Sequence, residues 1–269
     1  MRNKAIGIFD SGVGGLTVFR EIKRLLPEEE IIYLGDTARV PYGIRSKETV
    51  TRYSIENTEF LLSKGIKLLV VACNTASSLS LEEIKKRTSI PVIGVIEPGA
   101  LAALRRTKNK RIGIIGTEAT VKSRAYPEAI KRLDSTVEVF SKACPLFVPL
   151  VEEGWLSGEI ATLVAETYLR ELKDKDIDTL ILGCTHYPLL KDVIAGVMGD
   201  HVSLVDSATE TARVVKDTLE RLELRNNSDK TFYKFYVTDS PERFLTVGEI
   251  FLGEKIEDIE KVDLMEVLR

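Results

Sequence analysis

Lys67-Leu68-Leu69-Val70-Val71-Ala72-Cys73-Asn74-Thr75-Ala76-Ser77 is the stretch from which the fold can be read. An apolar run without polar alternation ends at a thiol followed by small polar residues. Such a run reads as a strand buried on both faces, as in a parallel sheet covered by helices. Side chains just beyond it sit at the carboxyl end of the sheet, where open α/β sheets bind ligands. The pattern returns at Thr179-Leu180-Ile181-Leu182-Gly183-Cys184-Thr185-His186-Tyr187-Pro188. Two thiols at the ends of two equivalent strands suggest chemistry that needs a thiol on either side of one substrate.

Working outward, Ala5-Ile6-Gly7-Ile8-Phe9 is a further buried strand, ending at Asp10-Ser11-Gly12-Val13-Gly14-Gly15. A helix is expected over 16–26, a strand over 31–35 ending at Asp36, a helix over 46–64, a helix through 81–86 and a strand over 91–96. Strands alternating with helices at this spacing argue for βαβ units. Near Glu97-Pro98-Gly99 the series restarts, and Arg111–Thr117 echoes Lys4–Asp10. Asp10 precedes Cys73 by 63 positions (73 − 10) and Thr117 precedes Cys184 by 67 (184 − 117). The second half thus repeats the first. A strand over 202–207, a helix over 209–222, a polar break over 225–230, an edge strand over 232–237 and a helical tail complete the chain. The expected architecture is two similar, pseudo-symmetric α/β lobes with mostly parallel sheets facing a cleft. Residues 1–97 plus 208–269 form the first lobe and 98–207 the second. One continuous sheet with a helical tail is the alternative.

The chain of 269 residues has a net charge of −3, which gives no reason to expect nucleic acid or an anionic membrane as partner. No apolar run approaches a membrane span and the N-terminus lacks a signal-peptide core, so a cytoplasmic protein is expected. Three cysteines fit reduced thiols better than a disulfide framework. Without Cys-x-x-Cys, and with two histidines, no metal site is expected.

A lone Cys at a strand end is as readily core as catalyst; two at matched positions favour function. Cys144 lacks a counterpart in the first half and reads as structural. Asn74, Thr75 and Ser77 can cap a helix and donate to an anion. The Gly12–Gly15 loop, with Asp36 about twenty residues on, invites a dinucleotide reading. Thr17 stands where the third glycine of that motif belongs, however, and the Asp10 carboxylate would repel a pyrophosphate. Asp10 reads either as a site residue or as a helix cap. His186, two residues past Cys184, can move a proton or favour the thiolate, whereas His201 looks like a surface turn residue. Glu152 and Glu153 close the apolar run 145–151 and read on their own either as a solvated helix start, the readier reading, or as an acid pointing into a cleft. Two thiols without a recognisable cofactor motif suit removal of a proton from one face of a carbon and its return to the other, which is racemisation.

Phe9–Leu16, Gly35-Asp36, Pro41-Tyr42-Gly43, Ala72–Ala76, Val148–Glu152, Gly183–Pro188 and Ser240–Phe244 together resemble the glutamate racemase family. The resemblance implies a cofactor-independent enzyme that makes D-glutamate for peptidoglycan, with two lobes across a cleft, often in a homodimer. It implies that Cys73 takes the Cα proton of D-glutamate and Cys184 that of L-glutamate. Asp10 would assist near Cys73, and Glu152 and His186 near Cys184. Ser11, Asn74, Thr75, Thr117 and Thr185 would hold the charged groups of the substrate, with Pro41, Tyr42 and Gly43 lining the pocket.

Overall fold

A computed structural model describes residues 2–227 and 231–264. Its strands are β1 (Ile6–Asp10), β2 (Ile31–Gly35), β3 (Leu68–Val71), β4 (Val92–Gly94), β5 (Arg111–Gly116), β6 (Glu138–Ala143), β7 (Thr179–Gly183), β8 (Ser203–Asp206), β9 (Tyr233–Val237) and β10 (Ile259–Lys261). Between them run helices α1 (Leu16–Leu25), α2 (Lys47–Ser63), α3 (Asn74–Lys85), α4 (Ile96–Arg106), α5 (Glu118–Ser123) and α6 (Ala125–Leu133). Further along are α7 (Phe147–Glu152), α8 (Gly158–Lys173), α9 (Lys191–Met198), α10 (Ser207–Arg221) and α11 (Pro241–Leu252).

The strands form two sheets, ordered β10-β9-β2-β1-β3-β4 and β6-β5-β7-β8, and every pairing among them is parallel. The orders β2-β1-β3-β4 and β6-β5-β7-β8 are the same, as a repeated half requires. The register refines the repeat by one residue. Phe9 lies opposite Val71, and Gly116 opposite Gly183. Counting on, Ser11 is level with Cys73 and Thr117 with Cys184, so the counterpart of Thr117 is Ser11 rather than Asp10.

The apolar run of β3 is explained by two cores. Leu68 and Val70 join one buried cluster, Leu69 and Val71 another, because successive side chains leave a strand on opposite faces. In β7, Leu180 and Leu182 join the cluster that takes Leu68 and Val70, while Ile181 enters a third. The shared cluster, with Phe19 of α1 and Val215 of α10, runs between the sheets and fixes their relative placement.

Four expectations change. Helix α3 begins at Asn74, immediately after Cys73, rather than at Leu81; the Cys73 Sγ caps it by accepting from the Ala76 N–H at 3.5 Å. The strand expected over 91–96 stops at Gly94, and Ile96 opens α4. Strand β9 is interior, because β10 covers its outer side and β2 its inner side. Glu152 ends a helix instead of starting one. Residues 228–230 of the expected polar break lie outside the described residues.

Candidate active site

Both thiols stand just past β3 and β7, at the carboxyl ends of their sheets, and both are buried, with 5% and 7% of their surfaces exposed. Cys73 Sγ lies 3.7 Å from the Ser11 hydroxyl. Burial and the negative charge of Asp10 push the Cys73 thiol up to about 12, and a charge on Cys184 opposes its ionisation as well. Cys73 therefore holds its proton at neutral pH.

Cys184 has different company. Its Sγ lies 3.9 Å from His186 Nδ1, and His186 Nε2 lies 3.1 Å from Glu152 Oε1. Burial alone would lower the imidazole pKa, but hydrogen bonding to Cys184 and to Glu152 outweighs it and pushes the group up to about 10. The same bond holds the Glu152 carboxyl below its ordinary value. Arg243 approaches Glu152 Oε2 at 3.7 Å from the exposed side. The result is a hydrogen-bonded line of carboxylate, imidazole and thiol.

Asp10 is fully buried, and burial raises its carboxyl pKa against the opposing charge of His186. Its Oδ2 accepts from the Gly12 N–H at 2.8 Å, and Thr185 Oγ1 donates to Oδ1 at 3.4 Å. Asp10 is thus both a cap for its own loop and a link to the second sheet. The glycine loop has a reason of the same kind. A Cβ on Gly14 would stand 2.2 Å from Thr185 Oγ1 and 2.6 Å from His186 Nδ1. The loop is bare so that the Cys184 turn can approach it. Asp36, meanwhile, is spent on Arg39, Tyr42 and Thr238. Neither feature is disposed for a dinucleotide.

Thr75 Oγ1 lies 3.0 Å from Thr117 Oγ1 and 3.3 Å from that of Thr120, so three hydroxyls meet where the sheets approach. Thr117 caps α5 through the Thr120 N–H, as Cys73 caps α3. The Asn74 Nδ2 is buried and has no hydrogen-bond partner. Gly43 packs on the Thr117 side chain. Tyr42 is buried, with its hydroxyl engaged by Asp36 and Asn57. Pro41 lines a cavity of about 380 Å³ together with Gly12, Val13, Glu152, Arg243 and Val247. Cys144 is buried in the core and His201 is exposed in a turn, as the sequence suggests. Thr120, Tyr126 and Phe251, whose ring meets His186 edge-on at 5.2 Å, carry no signal in the sequence that marks them as site residues. Arg243 lies within the Ser240–Phe244 stretch, but no role is assigned to it there. Among the described residues no helix is long and apolar enough to cross a membrane, and no cluster of metal-ligating side chains occurs.

This geometry can be set beside known proteins. The family described as Asp/Glu/Hydantoin racemase matches residues 6–215. A glutamate racemase of Geobacter metallireducens is 58% identical over 262 residues, covering 97% of each chain. The crystal structure of glutamate racemase from Francisella tularensis in complex with D-glutamate superposes with a TM-score of 0.94 at 40% identity. That match covers 99% of this chain and 100% of the other. A glutamate racemase isoform of Bacillus anthracis gives 0.95 at 43%, covering 98% and 99%. The chain belongs to the Asp/Glu/Hydantoin racemase family and, within it, to the glutamate racemases.

Proposed function

We propose that the chain interconverts L- and D-glutamate by proton transfer at Cα between two opposed thiols, without a cofactor, and so supplies D-glutamate for peptidoglycan. The observation that carries this reading is the pairing of Cys73 and Cys184 at equivalent strand ends of two like sheets. The D-glutamate bound in the Francisella protein supports the choice of substrate.

In the L-to-D direction the Cys184 thiolate takes the Cα proton, and the Cys73 thiol then delivers its own to the opposite face. Cys184 ends as thiol and Cys73 as thiolate, and the reverse reaction restores both. Only Cα–H and S–H bonds change, so protons and charge balance. His186, held by Glu152, supports the Cys184 thiolate electrostatically; Asp10 faces Cys73 and the substrate ammonium. The weakly acidic Cα–H demands stabilisation of the developing charge by preorganised donors in a water-poor site. Ser11, Thr75, Thr117, Thr185 and the unpartnered Nδ2 of Asn74 supply such donors, while Pro41, Tyr42 and Gly43 wall the pocket. The thiols are buried, so the two lobes, 1–97 plus 208–269 and 98–207, part to admit substrate and close to align both bases. A cytoplasmic homodimer completes the proposal.

The reading is tested by Cys73→Ala and Cys184→Ala, each of which abolishes racemisation of both enantiomers; full turnover by either variant sinks the two-base scheme. Comparison of kcat/KM for glutamate and aspartate separates this substrate from its nearest rival. Saturable NAD binding by calorimetry, without Cα exchange, would instead favour a nucleotide-binding module on the glycine loop.

A further inference from the structure

Tyr126 belongs to α6 in the half that carries the second sheet, and it is buried. Its hydroxyl nevertheless donates, at 2.7 Å, to Oδ1 of Asn74, the first residue of α3 beyond Cys73. One edge of its ring lies against Gly183, the residue before Cys184; a Cβ there would stand 3.2 Å from Cε2. Gly99 of α4 lies against another edge, where a Cβ would stand 3.1 Å from both Cε1 and the hydroxyl. One side chain therefore touches the residue that follows one thiol and the residue that precedes the other.

The bond sorts the two ends of the Asn74 amide. An amide offers an acceptor oxygen and a donor nitrogen. The phenol O–H is the donor to Oδ1. Oδ1 is thereby occupied. Nδ2 faces away from Tyr126, buried and without a partner. A buried donor left unpaired is costly, and a negatively charged oxygen of a ligand would remove that cost.

We infer that Tyr126 is a positioning residue that holds the Asn74 amide with Nδ2 presented to a carboxylate of the amino-acid substrate, and that spans the two thiol-bearing turns. The inference rests on the proposal that Asn74 is a substrate ligand. It assigns Tyr126 no contact with substrate. Its action is on binding, through Asn74.

A double-mutant cycle of Tyr126→Phe and Asn74→Ala, read as kcat and KM for both enantiomers, tests it. Tyr126→Phe keeps the ring on Gly99 and Gly183 and removes one hydrogen bond. KM should rise about tenfold for each enantiomer, with kcat changed less, as expected for one lost orienting bond. In the Asn74→Ala background Tyr126→Phe should add no further loss, because its target is gone. An unchanged KM in Tyr126→Phe, or losses that multiply in the double variant, would overturn the positioning role. Unchanged kinetics in Asn74→Ala alone would remove the assignment of Asn74 itself. Gly99→Ala, which crowds the phenol without deleting it, provides the same cycle from the other side. A raised KM that vanishes in the Asn74→Ala background supports the role, and an unchanged KM overturns it, even if Tyr126→Phe fails to fold.

Discussion

Cys184 Sγ lies 3.9 Å from His186 Nδ1, and no imidazole accompanies Cys73, whose neighbours are the Ser11 hydroxyl and the Asp10 carboxyl. The two thiols occupy equivalent positions in like sheets but not equivalent electrostatic surroundings. A thiolate is favoured beside an imidazolium and disfavoured beside a carboxylate. Burial beside the Asp10 carboxyl accordingly keeps the proton on Cys73.

His186→Asn should lower kcat/KM by about a hundredfold, the ordinary scale for losing a group that assists proton transfer. The enantiomers have equal free energies, so the factor must be the same in both directions. The isotope effect shows where the damage falls. With L-glutamate deuterated at Cα the effect on kcat/KM should grow, because transfer to Cys184 becomes limiting; with deuterated D-glutamate it should shrink. Equal effects for the two would contradict the assignment of His186 to Cys184.

Arg243→Ala should cost far less. Its guanidinium is largely exposed and stands 3.7 Å from Glu152, and exposed ion pairs contribute at most about 1 kcal/mol. A fall in kcat/KM of no more than about fivefold is expected. A loss as large as that of His186→Asn would place Arg243 in the binding machinery.

Gly14→Ala tests the approach of the glycine loop to the second half. The added methyl would stand 2.2 Å from Thr185 Oγ1 and 2.6 Å from His186 Nδ1, so Thr185 and His186 must shift. Overpacking of this kind costs about 1–3 kcal/mol of stability. Turnover should fall by more than the thermal midpoint alone would suggest, because the displaced groups flank Cys184. Wild-type kcat and KM in this variant would show that the approach is not needed.

The pH dependence of stability has a definite sign. The imidazole of His186 is raised from 6.5 to about 10 in the folded chain. Its contribution is therefore full below pH 6.5 and declines as the pH rises towards 10. The thermal midpoint should fall across that window, and His186→Asn should flatten this part of the profile. A variant whose midpoint tracks the wild type across the window would contradict the shift.

How much of this is legible in the sequence depends on how far each feature is local. The unbroken run ending at Cys73 and its echo before Cys184 reveal the parallel sheets and both thiols, because burial on two faces leaves a direct imprint on composition. The region between Thr117 and Thr179 carries no comparable pattern. There β6 is an edge strand, half exposed and rich in polar residues, so neither alternation nor an apolar run marks it. Strand β9 reads as an edge because nothing local announces that β10 will cover it. Glu152 acquires a partner only once α7 and the Cys184 turn are brought together. Tyr126 reaches Asn74 across 52 positions of sequence, and such contacts have no local signature. The glycine loop misleads locally, since a nucleotide and a neighbouring turn both ask for the absence of side chains.

Action of two opposed thiols on one Cα is tested most directly by the first turnovers of each glutamate enantiomer in D2O, with EDTA present and no pyridoxal phosphate added. Deuterium should enter mainly the inverted product from either enantiomer, while recovered substrate keeps its Cα proton. Deuterium appearing equally in recovered substrate and product from the start would mean a single base serving both faces, and would contradict the two-thiol scheme.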